Sequence, residues 1–183
     1  MNGLKDKVVL ITGGSSGIGK AASLAFAREG TKVVICSIQP KEGNETVDII
    51  KKEGGEALFV ETDVTKSTRV EAAVKKTIAF YGRLDFAFNN AGINGEVAPI
   101  DQYTEEGWDM LMAINLKGVW LSMKYEIPHM IKNGGAIVNN SSISGFISMP
   151  LDIAPYVASK HGVIGLTKAA AREYAKLWNA PLR

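Results

Sequence analysis

Lys7-Val8-Val9-Leu10-Ile11-Thr12-Gly13-Gly14-Ser15-Ser16-Gly17-Ile18-Gly19 sets a short apolar run directly against a glycine-rich turn, and a helical pattern follows it. No polar residue interrupts Val8 to Ile11, so a strand here would be apolar on both faces. Such a strand needs cover on both sides, which a parallel sheet between two layers of helices provides. Similar runs recur over 32–37, 57–61, 84–89 and 136–140. Longer stretches of helical character alternate with them, over 17–29, 42–53, 67–81, 104–131 and 156–178. Gly30, Gly54-Gly55, Gly82 and Gly134-Gly135 stand where helix ends call for a residue tolerant of positive φ. The alternation predicts an α/β fold: a doubly wound parallel sheet in three layers, α/β/α, as a single domain over 1–183.

Composition narrows the function classes. With 183 residues, 46% hydrophobic and 22% charged, the chain can bury a sizeable core. A net charge of +2, with Lys and Arg scattered among Asp and Glu, is too small an electrostatic footprint for nucleic acid. The single cysteine, Cys36, cannot form an internal disulfide, and no charged-then-apolar leader opens the chain, so a reducing, cytoplasmic compartment is expected. No apolar run approaches the roughly 20 residues that span a bilayer, so no membrane partner is expected. His129 and His161 have no Cys, His or carboxylate spacing around them and read as structural, and no metal site is expected.

The turn from Thr12 to Gly19 also has a chemical reading. At a strand-to-helix junction the first helical turn offers unpaired backbone N–H groups and the positive end of the helix dipole, a natural seat for a pyrophosphate. Gly13, Gly17 and Gly19 let the backbone approach a ligand without a Cβ in the way. The three-residue gap from Gly13 to Gly17 is wider than in the G-x-G-x-x-G fingerprint. In Rossmann-type sheets an acidic residue at the end of the second strand holds the ribose hydroxyls of NAD and repels the extra phosphate of NADP. Ser37 stands there instead, with Lys41 the nearest cation; NAD and NADP both remain open, and the missing carboxylate leans the choice toward NADP.

Later in the chain, Ala154-Pro155-Tyr156-Val157-Ala158-Ser159-Lys160 places a phenol and an ammonium one helical turn apart, on one face. A Tyr-x-x-x-Lys match arises by accident about once in a few hundred residues, so other parts of the chain must decide its meaning. Ser141, Ser142 and Ser144 could be no more than a polar turn at a strand end. Asn115, in the middle of a helical stretch, could be a surface amide, although Asn disfavours helix interiors and so asks for a reason.

Taken together, Thr12-Gly13-x-x-x-Gly17-x-Gly19, Asn89-Asn90-Ala91-Gly92 and Tyr156-x-x-x-Lys160 resemble the motif set of the classical short-chain dehydrogenase/reductase family. Asp63-Val64, Asn115-Leu116-Lys117-Gly118 and Ile137-Val138-Asn139-Asn140-Ser141-Ser142 extend the resemblance across the whole chain. The resemblance implies an NAD(P)-dependent oxidoreductase acting on a secondary alcohol or ketone. It makes Tyr156 the acid/base, Lys160 its partner and a ribose ligand, Ser142 the residue bonding the substrate oxygen, and Asn115 a link in a water-mediated proton path. It places Gly13, Ser15, Ser16, Gly17, Ile18, Gly19 and Ser37 at the cofactor's phosphates and outer ribose. Asp63 and Val64 would flank the adenine, and Asn90, Ala91 and Gly92 the inner ribose. A homodimer or homotetramer through the two long helices, 104–131 and 156–178, is also implied.

Family members normally continue past the Lys160 helix with a sixth strand, a Pro-Gly turn, a substrate segment and a seventh strand, so a C-terminally shortened chain is expected. A rival reading follows from that: a dinucleotide-binding module or oligomer partner without catalysis of its own. An epimerase or dehydratase using the same Tyr/Lys pair is a more distant alternative. Gly145, Phe146, Ile147, Met149 and Leu151 suggest an apolar wall for the substrate.

Overall fold

The computed structural model describes residues 3–131, 134–148 and 151–178. Strands β1 (Val8–Thr12), β2 (Lys32–Ser37), β3 (Ala57–Glu61), β4 (Phe86–Asn89) and β5 (Ala136–Asn139) pair in parallel in the order β3-β2-β1-β4-β5. Helices α1 (Gly17–Arg28), α2 (Pro40–Lys52), α3 (Ser67–Tyr81), α4 (Glu105–Met112), α5 (Gly118–Met130) and α6 (Ala154–Trp178) complete the fold. The α/β, doubly wound prediction stands.

Alternation of side chains along β1 divides the core into two layers. Val8 and Leu10 point to one face, where Val34, Cys36 and Val60 join Ala73 and Val74 of α3 and Met130 of α5. Val9 and Ile11 point to the other, packing with Val33 and Ile35 and with Ala27 of α1 and Val47 and Ile50 of α2. Burying each such side chain contributes about 1.5–3 kcal/mol, so the apolar run that reads as a strand in the sequence is also the centre of the core. The covering helices carry the matching stripe: Gly43, Thr46, Val47 and Ile50 are the buried residues of α2, and Val70, Ala73, Val74 and Thr77 those of α3. α6 lies on the α3/α5 side, where Val163 packs with Val119, Met123 and Ile127 of α5 and with Ile137 of β5.

The α1/α2 layer stops short of β5. Ala136 and Val138 are exposed, Val138 to 56%, so among the described residues this edge strand is apolar and uncovered on one face. Below the sheet's amino ends, Asp85 accepts from the backbone N–H of Val8 at 2.9 Å and from Arg83 Nε at 2.7 Å. Burial pushes its carboxyl up, but the bonds from Arg83 and Val8 and the charges of Arg83 and Lys7 outweigh that and hold it below its ordinary value.

Several boundaries differ from expectation by one or two residues, α6 for example beginning at Ala154, and three differences have a plain physical reading. α2 begins at Pro40, two residues early, because proline's fixed φ and missing N–H suit the first helical position. β4 begins at Phe86, since Leu84 and Asp85 precede the ladder. The stretch expected as one helix over 104–131 is interrupted by a π-helical segment, Ala113–Lys117, between α4 and α5. Thr104 caps α4, accepting from Gly107 N–H at 3.0 Å, with Glu105 and Glu106 in the first turn where the dipole favours negative charge. The glycines expected at positive φ adopt it, Gly30, Gly54, Gly82, Gly134 and Gly135, with the exception of Gly55. No helix among the described residues is long and apolar enough to cross a membrane.

Candidate active site

The strand order turns back between β1 and β4, the point at which an open parallel sheet presents a crevice at its carboxyl ends. Most of the residues singled out in the sequence converge there. Gly13 leaves β1 at φ +65° and Gly17 starts α1 at φ +49°, a conformation that side chains with a Cβ rarely adopt. Ser16, the N-cap of α1, makes no side-chain cap bond, so no side chain of the cap competes for the first-turn N–H groups. A Cβ at Gly17 would meet nothing within 4 Å, which leaves open space over the helix start. Gly19, by contrast, is packed on the Gly13 carbonyl and on Asn90 Nδ2, and admits no side chain. Open space above, a closed floor below and uncapped N–H groups fit a pyrophosphate.

Neighbouring loops are stitched to this turn. Thr12 Oγ1 accepts from the backbone N–H groups of Asn90 at 3.0 Å and Ala91 at 3.1 Å. Asn90 Nδ2 donates back to the Thr12 carbonyl at 3.1 Å, and Asn140 Nδ2 donates to Asn90 Oδ1 at 2.9 Å. The ends of β1, β4 and β5 are thereby locked together. At the end of β2, Ser15 Oγ lies 2.7 Å from Ser37 Oγ and 3.0 Å from Gln39 Oε1, a polar cluster without a carboxylate. Gln39 was no part of the sequence reading: it is exposed, two residues past the strand, and no pattern marks it.

Lys160 is only 5% exposed. Its Nζ donates to the Asn140 carbonyl at 2.8 Å and lies 5.5 Å from the centre of the Tyr156 ring. Burial pushes the Lys160 ammonium below its ordinary pKa. The two side chains do share one face of α6, and Gly92 lies beside Lys160, since a Cβ there would come 3.8 Å from Lys160 Nζ and 3.3 Å from Asn115 Oδ1. Asn115 is fully buried in the π-helical segment, not a surface amide. Its Oδ1 accepts from Ile93 N–H at 2.8 Å and its Nδ2 donates to the Ile93 carbonyl at 2.8 Å, so it clamps the loop after β4. Such π segments recur at functional sites because the extra residue re-aims the side chains around it.

The serine cluster separates into two roles. Ser141 Oγ donates to the Lys160 carbonyl at 2.9 Å. Ser142 Oγ accepts from Ser144 N–H at 3.2 Å in a single 3₁₀ turn, Ile143–Gly145. Of the expected apolar wall, Phe146, Ile147 and Leu151 are exposed, but Gly145 is buried against α6, where a Cβ would come 2.8 Å from the Lys160 carbonyl. Met149 lies outside the described residues. At the far end, Asp63 Oδ1 accepts from Thr65 N–H at 2.9 Å and Thr65 Oγ1 at 2.7 Å, forming the turn before α3. Val64 turns its side chain inward against Gly118 and Leu121.

This arrangement has a family match: residues 7–177 fit the model of the short chain dehydrogenases. The chain belongs to the short-chain dehydrogenase family. As a short-chain dehydrogenase it is 45% identical, over 175 residues, to a cyclohexanol dehydrogenase of Acinetobacter sp. (strain SE19), covering 95% of this chain and 69% of that one. Among solved structures it superposes on levodione reductase with a TM-score of 0.91 at 36% identity, covering 94% of this chain and 68% of that one. With NAD+-bound xylitol dehydrogenase the TM-score is 0.92 at 32% identity, covering 96% and 67%. The chain thus spans about two thirds of the length of these relatives. The family resemblance read from the motifs, and the dehydrogenase/reductase class it implies, are borne out.

Proposed function

We propose that this short-chain dehydrogenase interconverts a secondary alcohol and a ketone with NAD or NADP, Tyr156 moving the proton. The observation that carries this reading is the buried Lys160 ammonium, 5.5 Å from the Tyr156 ring at the carboxyl ends of the strands. The dinucleotide, when bound, supplies or accepts the hydride at its nicotinamide. Tyr156 then gives its O–H proton to the developing alkoxide, or takes one back in the oxidative direction. The Lys160 charge one helical turn away stabilises the phenolate, and its bond to the Asn140 carbonyl keeps that ammonium in place.

Ser142 orients the substrate oxygen. Its Oγ accepts from Ser144 and keeps its own proton for donation, whereas the Ser141 hydroxyl is engaged on Lys160, which supports the choice between them. Asn115 holds Ile93 and Gly92 in register beside Lys160 and serves as the link in the proton path to solvent. Gly13, Ser15, Ser16, Gly17, Ile18 and Gly19 take the pyrophosphate, and Asn90, Ala91 and Gly92 the inner ribose. Asp63 and Val64 flank the adenine, Val64 through its main chain because its side chain is buried. The exposed Ile143, Phe146, Ile147 and Leu151 favour an apolar substrate. A second copy is the expected protein partner, seated on the groove that Met112, Leu116, Trp120, Leu166 and Ala169 line between α4/α5 and α6.

The carboxylate-free cluster of Ser15, Ser37 and Gln39 favours NADP. Ser37→Asp is expected to weaken NADPH binding about tenfold or more, a change of about 1.4 kcal/mol, while NADH binding holds or improves. Fluorescence titration with both reduced cofactors measures it; an unchanged NADPH affinity would remove Ser37 from the ribose site.

A dinucleotide-binding module without catalysis is the second reading, favoured by the exposed apolar face of β5. Purified protein incubated with NADH or NADPH and a ketone panel headed by cyclohexanone, the ketone matching the relative's name, separates the two. Ketone-dependent loss of cofactor absorbance supports the enzyme. Cofactor binding without oxidation across the panel supports the module.

A further inference from the structure

Glu126, on α5, has none of its surface exposed, and no Lys, Arg or His lies within ion-pair distance of it among the described residues. Its Oε2 accepts from Asn89 Nδ2 at 3.0 Å. Its other oxygen, Oε1, has no hydrogen-bond partner, and neither has Asn89 Oδ1. Two buried acceptors without donors, on two residues already joined to each other, are what one missing proton leaves behind. An O–H on Oε1 donating to Asn89 Oδ1 closes an acid–amide ring and satisfies both atoms, whereas leaving each unsatisfied costs about 1–3 kcal/mol.

We propose that Glu126 is held as a neutral carboxylic acid, its proton bonded to Asn89 Oδ1, and that this pair is a positioning element for the carboxyl ends of β4 and β5. The link onward is short. Asn89 Nδ2 uses its second hydrogen on Asn139 Oδ1 at 3.0 Å, and the Asn89 carbonyl accepts from Asn140 N–H at 2.9 Å. Asn140 in turn presents its carbonyl to Lys160 Nζ at 2.8 Å. Glu126 touches neither substrate nor cofactor in this scheme; it acts through Asn89 and Asn140.

The surroundings favour the neutral form. Burial pushes the Glu126 carboxyl up to about 7, the bond from Asn89 opposing it to a lesser degree. On β2 it acts on Cys36, whose thiol burial pushes up to about 12, with the Glu126 charge adding to the rise and a hydrogen bond with Thr62 and the charge of Lys76 of α3 offsetting part of it. From β4 it meets the neutral amide of Asn89, which in turn bonds Asn139 of β5, and one turn earlier on its own helix stands Ser122. The folded state therefore binds a proton that the unfolded chain has already lost, and stability falls as pH rises from about 4.5 to about 7. That difference corresponds to an unfolding constant raised by about 10²-fold across the window.

The test is a ¹³C-carboxyl glutamate NMR titration of the purified protein, paired with Glu126→Gln. One glutamate resonance is expected to titrate near pH 7 and to vanish in the variant. The unfolding constant of the unaltered protein, in urea, is expected to climb relative to that of Glu126→Gln between pH 4.5 and 7. Glutamine supplies the same donor and acceptor without a charge, so the variant stays folded. Should every glutamate ionise below pH 6, the carboxylate is satisfied another way, for instance by a buried water shared with the partnerless Ser122 Oγ, and the proposal is overturned. If Glu126→Gln does not fold, the titration of the unaltered protein still decides the protonation. Amide exchange at Asn140 reads the positioning: expected to rise above pH 7 beyond the intrinsic rate in the unaltered protein only, and unchanged if Glu126 is a strut without reach. None of these readouts uses catalysis, so this proposal and the roles of Tyr156 and Lys160 fail separately.

Discussion

Tyr156→Phe is expected to lower turnover by about 10²–10⁴-fold, the contribution of a positioned acid/base, while dinucleotide affinity changes by no more than about twofold. The asymmetry follows from what the substitution removes. The ring stays, and with it the face that Lys160 approaches at 5.5 Å. Lys160 keeps its bond to the Asn140 carbonyl, which does not involve the phenol, so the ammonium stays where a ribose would meet it. Only the O–H is lost. Without it an alkoxide has no comparable acid to take a proton from, since Ser142 is a far weaker acid and Ser141 is engaged elsewhere. Steady-state rates with a ketone that the unaltered protein reduces, together with fluorescence titration of NADPH and NADH, measure both halves. Retained turnover would strip Tyr156 of its role. A parallel loss of cofactor affinity would instead mean that the phenol supports the ribose site.

How far this site was legible in the sequence depends on the kind of interaction. Backbone-driven features were readable: the Val8 to Ile11 run forms the central strand, and the glycines from Gly13 to Gly19 make the turn, because conformational permission and burial are written residue by residue. Tyr156 and Lys160 were readable because helical spacing alone brings them together. Pro40 carries a local signal of its own, since proline at the first helical position fixes the start of α2. The π-helical segment was not readable: it is five residues long, too short for its different period to stand out within 104–131. Nor was the division between Ser141 and Ser142, which depends on where the 3₁₀ turn aims each hydroxyl. Asn89 and Glu126 stand 37 residues apart, and only the sheet and α5 together bring them into contact.

Gly19→Ala is expected to cost about 3 kcal/mol, at the upper end of overpacking penalties, and to weaken dinucleotide binding by about 10²-fold. A Cβ at this position would intrude on the Gly13 carbonyl, with the Gly13 carbonyl carbon at 2.8 Å and Asn90 Nδ2 at 2.7 Å. Main-chain atoms cannot rotate aside as a flexible side chain can, so the junction of β1 and α1 must open. Opening it strains the Gly13 N–H bond to the Cys36 carbonyl, 2.7 Å, and the Asn90 contacts with Thr12, which tie β1 to β2 and β4. It also moves the first-turn N–H groups of α1 away from where a pyrophosphate would sit. For a domain of this size a loss of about 3 kcal/mol lowers Tm by roughly 6–12 °C. Gly17→Ala is the informative contrast: its Cβ would meet nothing within 4 Å, so only the φ of +49° penalises it, at about 1–2 kcal/mol, and the floor of the turn stays closed. Calorimetry and NADPH titration of the two variants side by side are expected to show the larger loss in both quantities at Gly19. Equal effects at the two positions would mean that backbone conformation, not the close packing of Gly19 on Gly13 and Asn90, sets the shape of the phosphate seat.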